Sequence, residues 1–160
     1  MGKIAAALAR MHGQRVYIDA NYFIYFLAQH EIYFEAAASV MRACDAGEIF
    51  GMTGDAVIAE LLAKPYRNDD TVAIASIKQL FAREHFIERL PHDFATFDLA
   101  AEIRAKQGGK LIDALHYATA LKGGCRFFLS NDHGFKSTER MEVVSIGKLV
   151  GEQLRGNDAR

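Results

Sequence analysis

The sequence predicts an α/β domain of three layers, α/β/α, with a central parallel sheet. Two observations lead there. Short β-prone runs alternate with longer stretches of helical periodicity, the pattern of strands joined by helical crossovers that cover both faces of a sheet. In addition, 51% of the 160 residues are apolar, enough for a core without metal or disulfide staples in a length that suits one domain.

Residues 1–14 read as an N-terminal helical extension containing the run IAAALA. Residues 16–18 form a strand that stops at Asp19. Residues 22–29 and 32–46 follow as helices, the second with Ala36, Val40 and Ala43 at helical spacing and Gly47 at its end. Residues 49–52 make a second strand. Thr53 is placed to cap a helix holding Val57, Ile58, Leu61 and Leu62, which Pro65 should close. A helix over 71–83 and a strand over 86–90 come next, then helices over 93–107 and 110–122, each stopped by a glycine pair. Residues 126–129 are the strongest strand signal, 143–146 form a last strand, and a short C-terminal helix precedes a tail, 155–160, expected to fray. There is no repeat and no long linker, so 1–160 is read as a single domain.

Charge and cysteine content exclude several classes. Lys and Arg number 19 against 20 Asp and Glu, a net charge of −1, which argues against a polybasic binder held to nucleic acid by charge alone. A nuclease with a local basic rim is compatible with it. Cys44 and Cys125 lie in unrelated contexts, fitting neither a zinc motif nor a disulfide framework, and read as buried free thiols in a reducing compartment. No apolar run reaches the ~18 residues of a membrane span, and the N-terminus lacks a signal-peptide core. The expected address is the cytoplasm, with no membrane partner.

In open parallel sheets, ligands gather outside the carboxyl ends of the strands. Asp19 follows the first strand directly, and Asp132 follows the strongest strand after a Ser130-Asn131 step, with Asn21 and Asn131 beside them. Each aspartate alone makes an ordinary cap; two at strand ends point to a site. Asp113 stands in the first turn of a helix whose surroundings, LIDALHYATAL, are almost all apolar or small, and it shares a face with His116, Tyr117 and Ala120. The helix dipole suits an acid there, yet a partly buried carboxylate also needs a partner. Glu60 borders the apolar stripe of its own helix, where a solvated glutamate is the simpler reading. Carboxylates converging on one cleft repel one another unless a cation neutralises them, and oxygen ligands select Mg²⁺ or Mn²⁺. Such an ion suits phosphodiester hydrolysis.

Four stretches, VYIDANYFIYFL, TGDAVIAELL, LIDALHYATAL preceded by FDLAAEIRAKQG, and CRFFLSNDHGF, together resemble the PIN-domain family, and within it the VapC-type toxin ribonucleases of toxin–antitoxin pairs. The resemblance runs from Val16 to about Ile146. It implies a sheet flanked by helices, commonly a homodimer, RNA as substrate, a cognate antitoxin whose tail enters the groove, and Mg²⁺ or Mn²⁺ on an acidic quartet. The quartet maps onto Asp19, Glu60, Asp113 and Asp132, with Asn21 and Ser130 as polar support. Many relatives carry another acid two positions after the last aspartate, where this chain has Gly134.

Other readings carry less. His133 beside Asp132 lacks a second histidine at ligand spacing, so zinc is not expected. Gly108-Gly109 has neither phosphate-loop fingerprint around it. The aromatic run from Tyr22 to Phe34 suggests core and dimer contact before base stacking. A catalytically silent PIN-fold interaction module is the main alternative; a phosphatase of the haloacid-dehalogenase kind would need an aspartate where Asn21 stands.

Overall fold

The structure is a computed structural model that describes residues 2–132 and 134–151. His133 and the 155–160 tail therefore lie outside the described residues. Five strands, β1 (Arg15–Ile18), β2 (Phe50–Gly54), β3 (Glu88–Leu90), β4 (Phe127–Ser130) and β5 (Glu142–Ser145), form one sheet in the order β3-β2-β1-β4-β5, and every pairing is parallel. Eight helices accompany it among the described residues: α1 (Lys3–Met11), α2 (Ala20–Leu27), α3 (Phe34–Asp45), α4 (Asp55–Arg67), α5 (Thr71–Ala82), α6 (Phe94–Gln107), α7 (Leu111–Lys122) and α8 (Ile146–Leu149).

The strand runs are apolar because both faces of the sheet are covered. Side chains alternate across it: Val16 and Ile18 of β1 pack with Phe127 and Leu129 of β4 in the larger core, together with α2 and α3. Tyr17 and Phe128 point to the opposite face, where they stack 5.0 Å apart at 8° and pack with Tyr117 and Ala120 of α7. α6 then covers α7 through Ala100, Ala114 and Ala118, small residues that let the two helices approach closely. Met11 of α1 is buried in the larger core. No helix among the described residues is long and apolar enough to cross a membrane.

Two local expectations need correcting. Thr53 does not cap α4. It is the fourth residue of β2, and its hydroxyl donates instead to the carbonyl of Ile18 across the sheet, at 2.8 Å. Pro65 does not close α4, which runs on to Arg67. A proline removes one donor and crowds the carbonyl one turn back; near the end of the helix that loss is small, and the chain leaves only where Asp69 takes a positive φ of 51°. The aromatic run divides: Tyr22 and Phe23 are wholly buried in the core, while Ile24 and Ile32 are the large apolar residues it leaves exposed. Both cysteines are free and buried, and burial pushes each thiol up to about 12.

The strand order reverses between β1 and β4, which pair with Ile18 opposite Leu129. Their carboxyl ends therefore open the crevice at the switch point of the sheet. Asp19 and Ser130 are the first side chains in it.

Candidate active site

Asp19 is the N-cap of α2 and is 7% exposed. One of its oxygens accepts the Ala20 N–H and the other the Ser130 hydroxyl, each at 2.8 Å. Ser130 reaches it because β4 lies beside β1. The serine oxygen in turn accepts the Asp132 N–H at 3.0 Å and, at 3.4 Å, the Asn21 side-chain amide. These bonds do not compensate the charge. Burial raises the Asp19 carboxyl above the usual carboxylate range; the His116 imidazole and the Ser130 and Ala20 bonds pull it back, and Glu60 pushes it up again. Beside it, Asn21 Oδ1 is buried without a hydrogen-bond partner.

Glu60 comes from the second turn of α4, and its carboxylate meets the Nε2 of His116, a residue of α7 that is 1% exposed. The other ring nitrogen, Nδ1, lies 2.7 Å from the Tyr17 hydroxyl. The network decides the protons. Tyr17 is held protonated, since burial drives its pKa far upward. His116 bridges Tyr17 and Glu60, with Nδ1 at the Tyr17 hydroxyl and its Nε2–H donated to the Glu60 carboxylate. His116 thus positions the Glu60 carboxylate. One oxygen of Asp19, one of Glu60 and a His116 ring nitrogen all lie within 4.8 Å of one another.

A second histidine takes the capping role expected of Thr53. His92 Nε2 accepts the Ala56 N–H at 3.0 Å, in the first turn of α4, and its Nδ1–H points to Thr119 Oγ1 at 2.9 Å, which itself donates to the Leu115 carbonyl at 2.7 Å. Burial, then the neighbouring His116, lowers its pKa, which suits a ring whose Nε2 must stay an acceptor. Gly54 makes room for this arrangement. A Cβ there would come within 2.6 Å of the His92 ring and 2.8 Å of the Tyr17 hydroxyl.

Asp113 stands half-buried in the first turn of α7. Burial raises its carboxyl, Asp132 raises it further, Lys110 and His116 oppose, and Glu60 adds to the rise. The charges of Asp132 and Glu60 therefore act on Asp113. Asp132 is exposed on the loop after β4, with its Oδ1 accepting the Gly134 N–H at 2.8 Å. The tight group is Asp19, Glu60 and His116, whereas Asp113 and Asp132 stand at its border. The sequence reading missed His116 and His92. The signal for His116 was present, three residues from Asp113 on one helix face; nothing local marks His92.

A hard divalent cation fits these residues. An under-compensated buried carboxylate, an orphaned amide oxygen and further carboxylates acting across one cleft form an oxygen-rich donor set that asks for positive charge.

Comparison with known proteins places the chain. The family model for the PIN domain matches residues 16–141. This chain belongs to the PIN-domain family. Among curated PIN relatives it is similar to Ribonuclease VapC1 of Aquifex aeolicus, 25% identical over 137 residues, covering 84% of this chain and 92% of that one. Among solved structures it is similar in fold to VapBC2 from Rickettsia felis, which was solved bound to a DNA fragment from its promoter (TM-score 0.62, 14% identity, 82% of this chain and 98% of that one). It is also similar to VapC20 of Mycobacterium tuberculosis, described as a toxin that cleaves the sarcin-ricin loop (TM-score 0.57, 14% identity, 71% of this chain and 86% of that one). These are PIN folds of the same central-sheet kind.

Two outcomes test the geometry. Because burial raises the Asp19 carboxyl in the folded protein, this group favours folding below its unfolded pKa, and its contribution is lost as pH rises through the folded value. In EDTA, the melting temperature of Asp19→Asn relative to the unaltered protein should therefore climb as pH rises from the ordinary carboxylate range of about 4; a difference that stays flat or falls contradicts the burial argument. Tyr17→Phe strands the buried His116 Nδ1 and should lower stability by about 1–3 kcal/mol in urea denaturation. An unchanged midpoint would mean that the tyrosine does not hold the histidine.

Proposed function

We propose that this chain is a divalent-metal-dependent endoribonuclease, the toxin of a toxin–antitoxin pair. The observation that carries the reading is the buried Asp19 carboxylate, lifted by desolvation and facing Glu60 across 4.8 Å or less at the switch point of a PIN-family sheet. The Aquifex aeolicus relative is named a ribonuclease, which supports RNA as the substrate class.

In this reading Asp19, Glu60, Asp113 and Asp132 hold Mg²⁺ or Mn²⁺, with Asn21 and Ser130 as polar support. When bound, the ion acts as a Lewis acid toward a phosphate oxygen and lowers the pKa of water. The chain's own residues pre-set the site. Ser130 fixes Asp19 and, through the Asp132 N–H, the start of the Asp132 loop. His116, held by Tyr17, keeps the Glu60 carboxylate turned inward instead of sampling solvent. Such pre-positioning removes reorganisation from the reaction step.

Partners follow from the same reading. Solved relatives include toxin–antitoxin complexes such as that from Klebsiella pneumoniae, and an antitoxin tail bearing Arg or Lys would pair with the acidic cleft in place of the ion. A homodimer is the expected assembly, and the exposed Ile24 and Ile32 offer apolar surface for it. The cytoplasm is the expected location.

Incubation with transfer and ribosomal RNA tests the assignment. Cleavage should need Mg²⁺ or Mn²⁺, stop in EDTA, and fall by orders of magnitude in Asp19→Asn and Asp132→Ala. A Cβ at Gly134 would lie 3.2 Å from Asp132 Oδ1. An acid introduced by Gly134→Asp in the Asp132→Ala background can therefore reach the vacated position and should restore part of the activity. If Asp132 only caps its turn, Asp132→Ala lowers the melting temperature and leaves cleavage intact, which would remove it from the ligand set.

A further inference from the structure

A surface of opposite sign borders the acidic site. α6 ends at Gln107, the chain turns through Gly108 and Gly109, and α7 starts at Leu111 with Asp113 in its first turn. Between this turn and the loop after β4 lies an open cleft of about 360 Å³. Lys106, Lys110 and Lys136 line it, Phe135 supplies an apolar ring, and Asp113 and Gly134 belong to the same wall. The cleft therefore shares Asp113 with the acidic site. Lys106 shares its charge with Glu102, whereas neither Lys110 nor Lys136 forms an ion pair among the described residues.

The wall is built rather than incidental. The Tyr117 hydroxyl donates to the Lys136 carbonyl at 3.0 Å, and the Phe135 ring lies parallel to Tyr117 at 6.3 Å and 4.5 Å from the Phe128 ring. Core aromatics of β4 and α7 thus fix the segment that carries Lys136. Lys110 is held by the start of α7, in the turn before Asp113.

We propose that this cleft seats the phosphate backbone of a single-stranded RNA beside the acidic site, an inference that rests on the ribonuclease reading above. A polyphosphate chain is repelled by clustered carboxylates, so its approach needs cationic contacts next to the reacting position. Lysines supply these as point charges to phosphate oxygens, which position a chain without reading its bases. An acidic protein segment would satisfy the lysines too, but it gains nothing from the adjoining carboxylates; a phosphodiester chain does, because the bond to be hydrolysed must lie at them. A second basic cleft, with Arg126 and Arg140, lies near the start of β4 and so at the opposite end of the sheet from Asp19. It provides an internal control.

The test is fluorescence anisotropy with a 5′-fluorescein-labelled, mixed-sequence single-stranded RNA oligonucleotide over a series of salt concentrations, in EDTA so that nothing is cleaved. Lys110→Gln/Lys136→Gln should bind roughly tenfold or more weakly at low salt, with a log–log salt slope shallower by about 1.4, twice the value of about 0.7 per phosphate contact on single strands. Its melting temperature in EDTA should stay close to that of the unaltered protein. Arg126→Gln/Arg140→Gln should bind as the unaltered protein does. Unchanged affinity and slope in the lysine variant, or a loss confined to the arginine variant, would overturn the proposal while leaving the ribonuclease reading in place. A labelled glutamate-rich peptide that binds through the lysines as tightly as the RNA would assign the cleft to an acidic protein segment and also overturn it. Lysine-dependent RNA binding with no cleavage of any RNA in Mn²⁺ would keep the cleft and fail the ribonuclease reading.

Discussion

The constraint on which the site depends is one carboxylate buried where a parallel sheet reverses its order. β1 is the central strand and delivers Asp19 into the crevice between its own end and that of β4. A charge there loses most of its hydration, and two hydrogen bonds do not restore it, which is why the carboxyl is raised. Every neighbouring feature answers to that shortfall. Ser130 donates to Asp19, Asn21 turns toward Ser130, and Glu60 is held close although its charge is of the same sign. A fold selected only for stability would have little reason to keep this arrangement. A fold that binds a divalent cation would.

α7 organises the rest. Asp113, His116, Tyr117 and Ala120 share one face by helical spacing, yet each does something different. Asp113 borders the acidic site, and His116 transmits the Tyr17 hydroxyl to Glu60. Tyr117 packs under Phe128 and anchors the Lys136 backbone, while Ala120 lets the helix lie close on the sheet. The net charge of −1 hides this segregation: acids gather at the strand ends while lysines gather along the turn that precedes the same helix.

Much of this is legible in the sequence, and the parts that are not share a physical reason. Alternating strand and helix signals and the apolar run FFL are local, so the parallel sheet follows from them, whereas its switch point is set by the pairing of β1 with the distant β4. Asp19, Ser130 and Asp132 are equally legible, because a strand end is a local feature with a known place in such a sheet. The Tyr17–His116–Glu60 chain is not, since its members are 99 and 56 residues apart and meet only through strand pairing and helix docking. The cap of α4 is the clearest case. A threonine before a helix is the expected cap, but Thr53 is drawn into the sheet by the Ile18 carbonyl, and His92, 36 residues from the Ala56 it caps, fills the vacancy. Pro65 shows the converse, a strong local rule softened because it acts where a helix is already ending.

The most direct test of the central claim is crystallography with Mn²⁺ present, using anomalous scattering at the manganese edge to locate the ion without reference to activity. The account predicts a manganese bonded directly to the Asp19 carboxylate, with Glu60, Asp113 and Asp132 turned toward it and the Tyr17–His116 bond preserved. A folded protein in millimolar Mn²⁺ whose Asp19 remains bonded only to Ala20 and Ser130, with no manganese in the crevice, would contradict it.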